Sequence, residues 1–168
     1  AAFGVTTGTD NVALGKNTLY NNNASECVVI GHSAGGWLNT GANGTVAIGY
    51  QALSACTTGS WNTAVGHQVL DACTSGANNN VGVGASALGA CTGGDRNTAV
   101  GSNALQDNTT AGDNVAVGYA ALENNTTGTK NVAVGSYALD AVTTNGNNTA
   151  IGYNALKLNT AANNEAIG

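Results

Sequence analysis

A short phrase, Asn-Thr/Val-Ala-Val/Ile-Gly, recurs along the whole chain, with its closing glycine at Gly15, Gly31, Gly49, Gly66, Gly84, Gly101, Gly118, Gly135, Gly152 and Gly168. The intervals run from 16 to 18 residues. A fixed period means one small structural unit stacked upon itself. The unit is too short for helix-turn-helix repeats of ~34 residues, and shorter than the ~20–29 of leucine-rich repeats. A period-two aliphatic run ending in Gly reads as a short strand, and the recurring Thr-Thr-Gly reads as a turn. The expected fold is therefore all-β: a parallel β-roll or β-solenoid of about ten rungs. With ~4.8 Å between rungs, the rod would be on the order of 45 Å long.

Positions are counted here from the closing glycine. Position −1 is always aliphatic: Leu14, Ile30, Ile48, Val65, Val83, Val100, Val117, Val134, Ile151, Ile167. Position −2 is Ala except at Val29 and Gly82. Position −4 is Asn without a break from Asn62 through Asn80, Asn97, Asn114, Asn131 and Asn148 to Asn164. Position +4 is Leu, with Gly35 out of pattern, and position +8 is Thr from Thr57 to Thr160. Stacking superposes identical side chains, so Asn and Thr columns can bond along the axis as ladders. Side chains at −1 and −2 point to opposite sides of a strand. We expect Val/Ile and Leu to fill the coil, leaving Ala as a smooth outer column against which another subunit can pack.

Composition narrows the partners. Only four residues are basic, Lys16, Arg96, Lys130 and Lys157, and the formal charge is −5. Phosphate recognition needs clustered Lys and Arg, so nucleic acid is not expected as a partner. No run approaches the ~18 apolar residues of a membrane span, so membrane insertion is not expected either. We read residues 1–168 as a single repeat domain, a segment of a longer fibre protein.

Units such as Asn97-Thr98-Ala99-Val100-Gly101, followed by Ala104-Leu105 and Thr109-Thr110, resemble the NTAVGxxAL…TTG repeats of phage tail fibres and related cell-surface fibre proteins. The phrase is also similar to the NSVAIG motif of trimeric autotransporter adhesin heads. The resemblance covers the chain from about Val12 to Gly168 and departs from it in the longer unit and the irregular second copy around Gly35-Gly36-Trp37. It implies a homotrimer of left-handed parallel β-rolls acting in host or surface attachment, hence an extracellular or virion location. Neither motif carries catalytic residues.

Residues that could carry chemistry are few. Cys56, Cys73 and Cys91 share position +7 in successive rungs, where stacking would bring their Cα atoms within disulfide range; we read them as stacked, unpaired packing cysteines. No Cys-x-x-Cys is present, and His32 and His67 occupy another column, so no zinc site, cofactor or catalytic group is expected. The column at +1 holds Tyr50, His67, Tyr119 and Tyr153, which, with Trp37 and Trp61, could offer ring faces to a sugar. The function expected is structural and adhesive, an attachment fibre that binds a host-surface glycan or protein. One alternative is a self-assembling filament or surface-layer protein without a specific receptor. A further alternative is an ice-binding or carbohydrate-binding module, for which the Thr column is the ice candidate.

Overall fold

The computed structural model describes residues 7–20, 22–39, 41–74 and 76–168. Each copy of the phrase forms one strand of three residues: β1 Val12–Leu14, β2 Val28–Ile30, β3 Val46–Ile48, β4 Thr63–Val65, β5 Val81–Val83, β6 Thr98–Val100, β7 Val115–Val117, β8 Val132–Val134, β9 Thr149–Ile151 and β10 Glu165–Ile167. They form a single ten-stranded parallel sheet in chain order. Every pairing keeps the repeat in register, as in Thr98↔Val115, Ala99↔Ala116 and Val100↔Val117. The chain is thus a β-solenoid of about nine turns, and no helix occurs among the described residues.

Backbone bonds between rungs continue outside the strands. Leu105 N–H donates to Ala121 O (3.0 Å), Thr109 N–H to Thr126 O (3.0 Å) and Asn103 N–H to Ala85 O (2.9 Å). Each rung therefore satisfies its turns through its neighbours, as a coil of turns must, since buried backbone groups are costly when unpaired. The turns are tight. In a regular rung three non-glycine residues take left-handed φ: Arg96 at 56°, Asn103 at 60° and Leu105 at 52°. The closing glycine is strict for a related reason. Gly101 has φ 136°, and a Cβ there would lie 2.4 Å from the Gly118 carbonyl oxygen of the next rung.

The interior reverses one expectation. Ala47, Ala64, Ala99, Ala116, Ala133 and Ala150, at strand centres, are fully buried, together with the +4 leucines from Leu19 to Leu139 and the +3 alanines from Ala34 to Ala138. Val and Ile at −1 point outward, and Val83, Val100, Val117 and Ile151 are 36–38% exposed. The Ala column is thus core and the Val/Ile column surface. Width is the physical reason: Leu from the opposite wall fills the narrow coil, leaving room for only a methyl at the strand centre.

Both exceptions in the Ala column report the same limit. At Gly82 an added Cβ would sit 2.4 Å from Cγ1 of Val69, which replaces the usual Ala at +3 of the preceding rung. In the irregular rung, Val29 replaces Ala while Gly35 replaces Leu; a Cβ at Gly35 would meet Leu38 at 2.9 Å and Val29 at 3.1 Å. That rung has moved its large side chain from +4 to Leu38 at +7. Core volume is conserved though the pattern is not.

Candidate functional surfaces

The Asn column is structural. Asn97 N–H donates to Asn80 Oδ1 (2.8 Å), and Asn114 N–H to Asn97 Oδ1 (3.1 Å). Each Nδ2 also donates to a turn carbonyl of the next rung, Asn97 to Ala111 O and Asn114 to Gly128 O. These side chains are fully buried, so the ladder replaces the water they lose.

The Thr column is likewise committed to the stack. Thr92 Oγ1 donates to Thr109 O (3.2 Å), Thr109 Oγ1 to Thr126 O (3.0 Å) and Thr126 Oγ1 to Thr143 O (3.0 Å). Thr57 makes the same contact with Thr74. In these residues the hydroxyl proton is held by the next rung, which leaves the oxygen only an acceptor toward anything outside.

Cys56, Cys73 and Cys91 stack in one column and all four cysteines are free and buried. Cys56 and Cys73 share a proton across a 2.8 Å Sγ···Sγ contact, in which either thiol can be the donor. That shared proton lowers Cys56 and, with burial, raises Cys73 far above the ordinary thiol range. Burial also pushes Cys27 and Cys91 up. The column continues into Asn108 and Asn125, where Asn125 Nδ2 donates to Asn108 Oδ1 at 3.1 Å. Val142 then interrupts it, and Asn125 Oδ1 is left buried without a partner.

The aromatic column at +1 is divided. His32, Tyr50 and His67 form a continuous stack, with centroids 5.5 and 5.1 Å apart and planes within 13° and 17°. Tyr50 thus has a ring stacked on either side of it, though it remains 45% exposed. Tyr119 meets Tyr137 edge-on at 5.3 Å, and Lys157 Nζ lies 4.1 Å above the Tyr137 ring. Tyr153 stands 72% exposed. Trp61 is also exposed but packs against Gly44, whose added Cβ would fall 2.4 Å from the indole.

Two grooves run along a different side, between +2 and the +5/+6 positions. The larger, about 510 Å³, is lined by Tyr20, Trp37, Asn17, Ser33, Gln51 and Ser54 over a floor at Gly36. The smaller, about 350 Å³, includes Gln68, Asp71, Gly89, Gln106 and Asp107. Each lies at a rung whose +5 residue is glycine, Gly36 or Gly89, between rungs carrying side chains there. Sequence reasoning singled out Trp37 but missed the groove, although the two glycines at +5 were its visible signal.

Among the described residues no cluster of three or more His, Cys, Asp or Glu could hold a metal ion. No helix among the described residues is long and apolar enough to cross a membrane. The fold and its surfaces define a β-solenoid repeat protein. No protein-family model, curated protein or solved structure matches the chain.

Proposed function

We propose that the chain is a structural segment of an extracellular or virion attachment fibre, in which several copies associate side by side. The observation that carries this reading is the outward face of the sheet. Position −1 presents an unbroken Leu/Ile/Val column, and position −3, two residues earlier on the same face, presents Val12, Val28, Val46, Thr63, Val81, Thr98, Val115, Val132 and Thr149. From β1 to β9 that face carries no charge. A contiguous exposed aliphatic surface of this length is the kind that partners cover. Copies of the same rod would offer an identical two-column surface at the same rung spacing, so side-by-side packing would match ridge to ridge. Three copies is the number implied by resemblance to tail-fibre and adhesin-head repeats.

The reading assigns the rod a mechanical role: it is stiffened by the Asn ladder and holds its outer columns at fixed spacing for adhesion to a host surface. Its test is the mass of the purified chain in solution. Sedimentation equilibrium should give a multiple of 16.4 kDa. Val100→Lys combined with Val117→Lys should return a monomer with unchanged circular dichroism. A wild-type chain that remains monomeric through the high micromolar range would sink the fibre reading.

A further inference from the structure

We infer that the groove over Gly36 is a binding site for an uncharged saccharide, and that Trp37 is its platform. Three independent features of this groove converge on that ligand.

The first is shape. The irregular rung places glycine at +5, between Tyr20 in the rung before and Ser54 in the rung after. The missing side chain leaves a trough of about 510 Å³, within the roughly 300–1,000 Å³ of small-molecule sites. The trough is open on one side, so a chain of sugar units can lie along it.

The second is the aromatic pair. Trp37 is 54% and Tyr20 39% exposed, and both line the trough. Tyr and Trp combine an apolar ring with a polar handle, which suits the apolar face and hydroxyl rim of a pyranose. In the +1 column His32, Tyr50 and His67 are instead stacked on one another. Among the described residues no such ring stack involves Trp37.

The third is the polar lining. Asn17, Ser33, Gln51 and Ser54 contribute amides and hydroxyls, and none of the lining residues is charged. Gln68 Nε2 donates to Gln51 Oε1 (3.1 Å), which leaves the Gln51 NH₂ as a donor toward a ligand. Asn17 and Ser54 make no side-chain hydrogen bond to other described residues. A neutral set of paired donors and acceptors matches sugar hydroxyls and gives no counter-charge to a phosphate, sulfate or ammonium. The second groove supplies the contrast within the same molecule. It has a similar origin, but it contains Asp71 and Asp107 and no aromatic residue, so it is not expected to hold a neutral sugar.

The groove uses columns +2, +5 and +6, apart from the aliphatic face at −3 and −1. The inference therefore stands whether or not the chains associate. The test is calorimetric titration of the full chain with maltotriose, cellotriose and tri-N-acetylchitotriose, with trigalacturonate as the charged comparison. A Trp61→Phe variant, which leaves Trp37 as the sole tryptophan, adds a fluorescence readout.

At least one neutral trisaccharide should bind saturably, with a Kd on the order of 1 mM or tighter, and should shift Trp37 emission. Trp37→Ala should weaken binding at least about tenfold with unchanged circular dichroism, as expected of an aromatic anchor. Trp37→Phe should retain part of the affinity, and Asp71→Asn in the other groove should leave it unchanged. The inference is overturned if no neutral probe binds, if trigalacturonate binds as tightly as the best neutral probe, or if Trp37→Ala binds like the wild type.

Discussion

Single residues in this solenoid carry contradictory demands. Leu at +4 occurs in the left-handed region in every regular rung, as at Leu53 (φ 52°), Leu88 (φ 54°) and Leu139 (φ 54°). Holding a non-glycine residue there costs about 1–2 kcal/mol, whereas burying a leucine side chain contributes roughly 1.5–3 kcal/mol. Burial wins by a small margin, so the strained turn persists only where the core is filled. The Asn ladder faces the opposite risk, because each amide both donates to and accepts from another rung. Asn97→Ala would strip the Asn114 N–H of its acceptor and leave it buried. We expect a loss of about 2–4 kcal/mol, more than the ~1 kcal/mol of an ordinary hydrogen bond, measured by urea denaturation. A loss below 1 kcal/mol would show that the ladder is incidental.

The thiols make a second prediction at this scale. Cys27, Cys73 and Cys91 are all raised above the ordinary value of 9.0, the first and last chiefly by burial and Cys73 chiefly by its bond to Cys56. A raised folded pKa stabilises fully below the unfolded value, and that contribution is lost as pH rises past it. For these three thiols the unfolded chain ionises first above pH 9, while the lowered Cys56 works in the opposite sense. With three raised against one lowered, the unfolding midpoint should fall between pH 8 and pH 10. A Cys27→Ala, Cys91→Ala double variant, which leaves the Cys56–Cys73 pair intact, should show a smaller fall. In native protein at pH 8 these thiols should react far more slowly with an aromatic disulfide reagent than in urea, where all four cysteines become available. Equal rates in both states would contradict their burial.

At the level of one rung, the decisive quantity is the width of the coil. Strand alternation says which residues share a face but not which face turns inward. The Val/Ile column looks like core by hydrophobicity, yet its branched side chains exceed the space that Leu leaves. The signal that settles this was present in the sequence. Val29 and Gly82, the exceptions in the Ala column, occur beside exceptions at neighbouring core positions, Gly35 and Val69. Such matched exchanges mean steric contact, and contact means the inside. The period, the glycine turns and the Asn and Thr ladders were legible because they repeat. The Trp37 groove was not, because it exists where the repeat fails and its walls come from three successive rungs.

Val69 and Gly82 offer a direct test of the width argument. Gly82→Ala alone would force a Cβ against Val69 Cγ1 at 2.4 Å, an overpacking that costs about 1–3 kcal/mol. Val69→Ala alone would remove two buried methyl groups, losing roughly 1–3 kcal/mol in transfer and cavity contributions. The double variant restores the Ala/Ala pair found elsewhere along the stack. It should lie within about 1 kcal/mol of wild type, giving a coupling of at least ~1 kcal/mol in a double-mutant cycle. Additive losses would mean that the two side chains do not share one space.

The whole molecule is quasi-one-dimensional. Strand contacts join only consecutive rungs, β1 to β2 and so on to β10. In such an array, stability approximates a sum of rung and interface contributions, so length and fold are separable. Deleting 102–118 removes one 17-residue unit, from the residue after Gly101 through Gly118. It puts Tyr119 directly after Gly101, in the place of Ser102, and fuses β6 to the turn that precedes β8. Every column keeps its register across the join: Leu122 takes the place of Leu105, Asn131 stacks on Asn97, and Ala133 on Ala99. The shortened chain should keep the same circular dichroism per residue and lose only the share of stability belonging to one rung and one interface. Deleting eight residues, 102–109, removes Leu105 and half of one turn, so the columns lose register at the join between β6 and β7, while β7 to β10 keep theirs. That chain should lose the β6–β7 interface and unfold as two blocks instead of one cooperative unit. Two deletions of equal effect would mean that stability is set by length alone, whereas the column register requires the longer deletion to be the milder one.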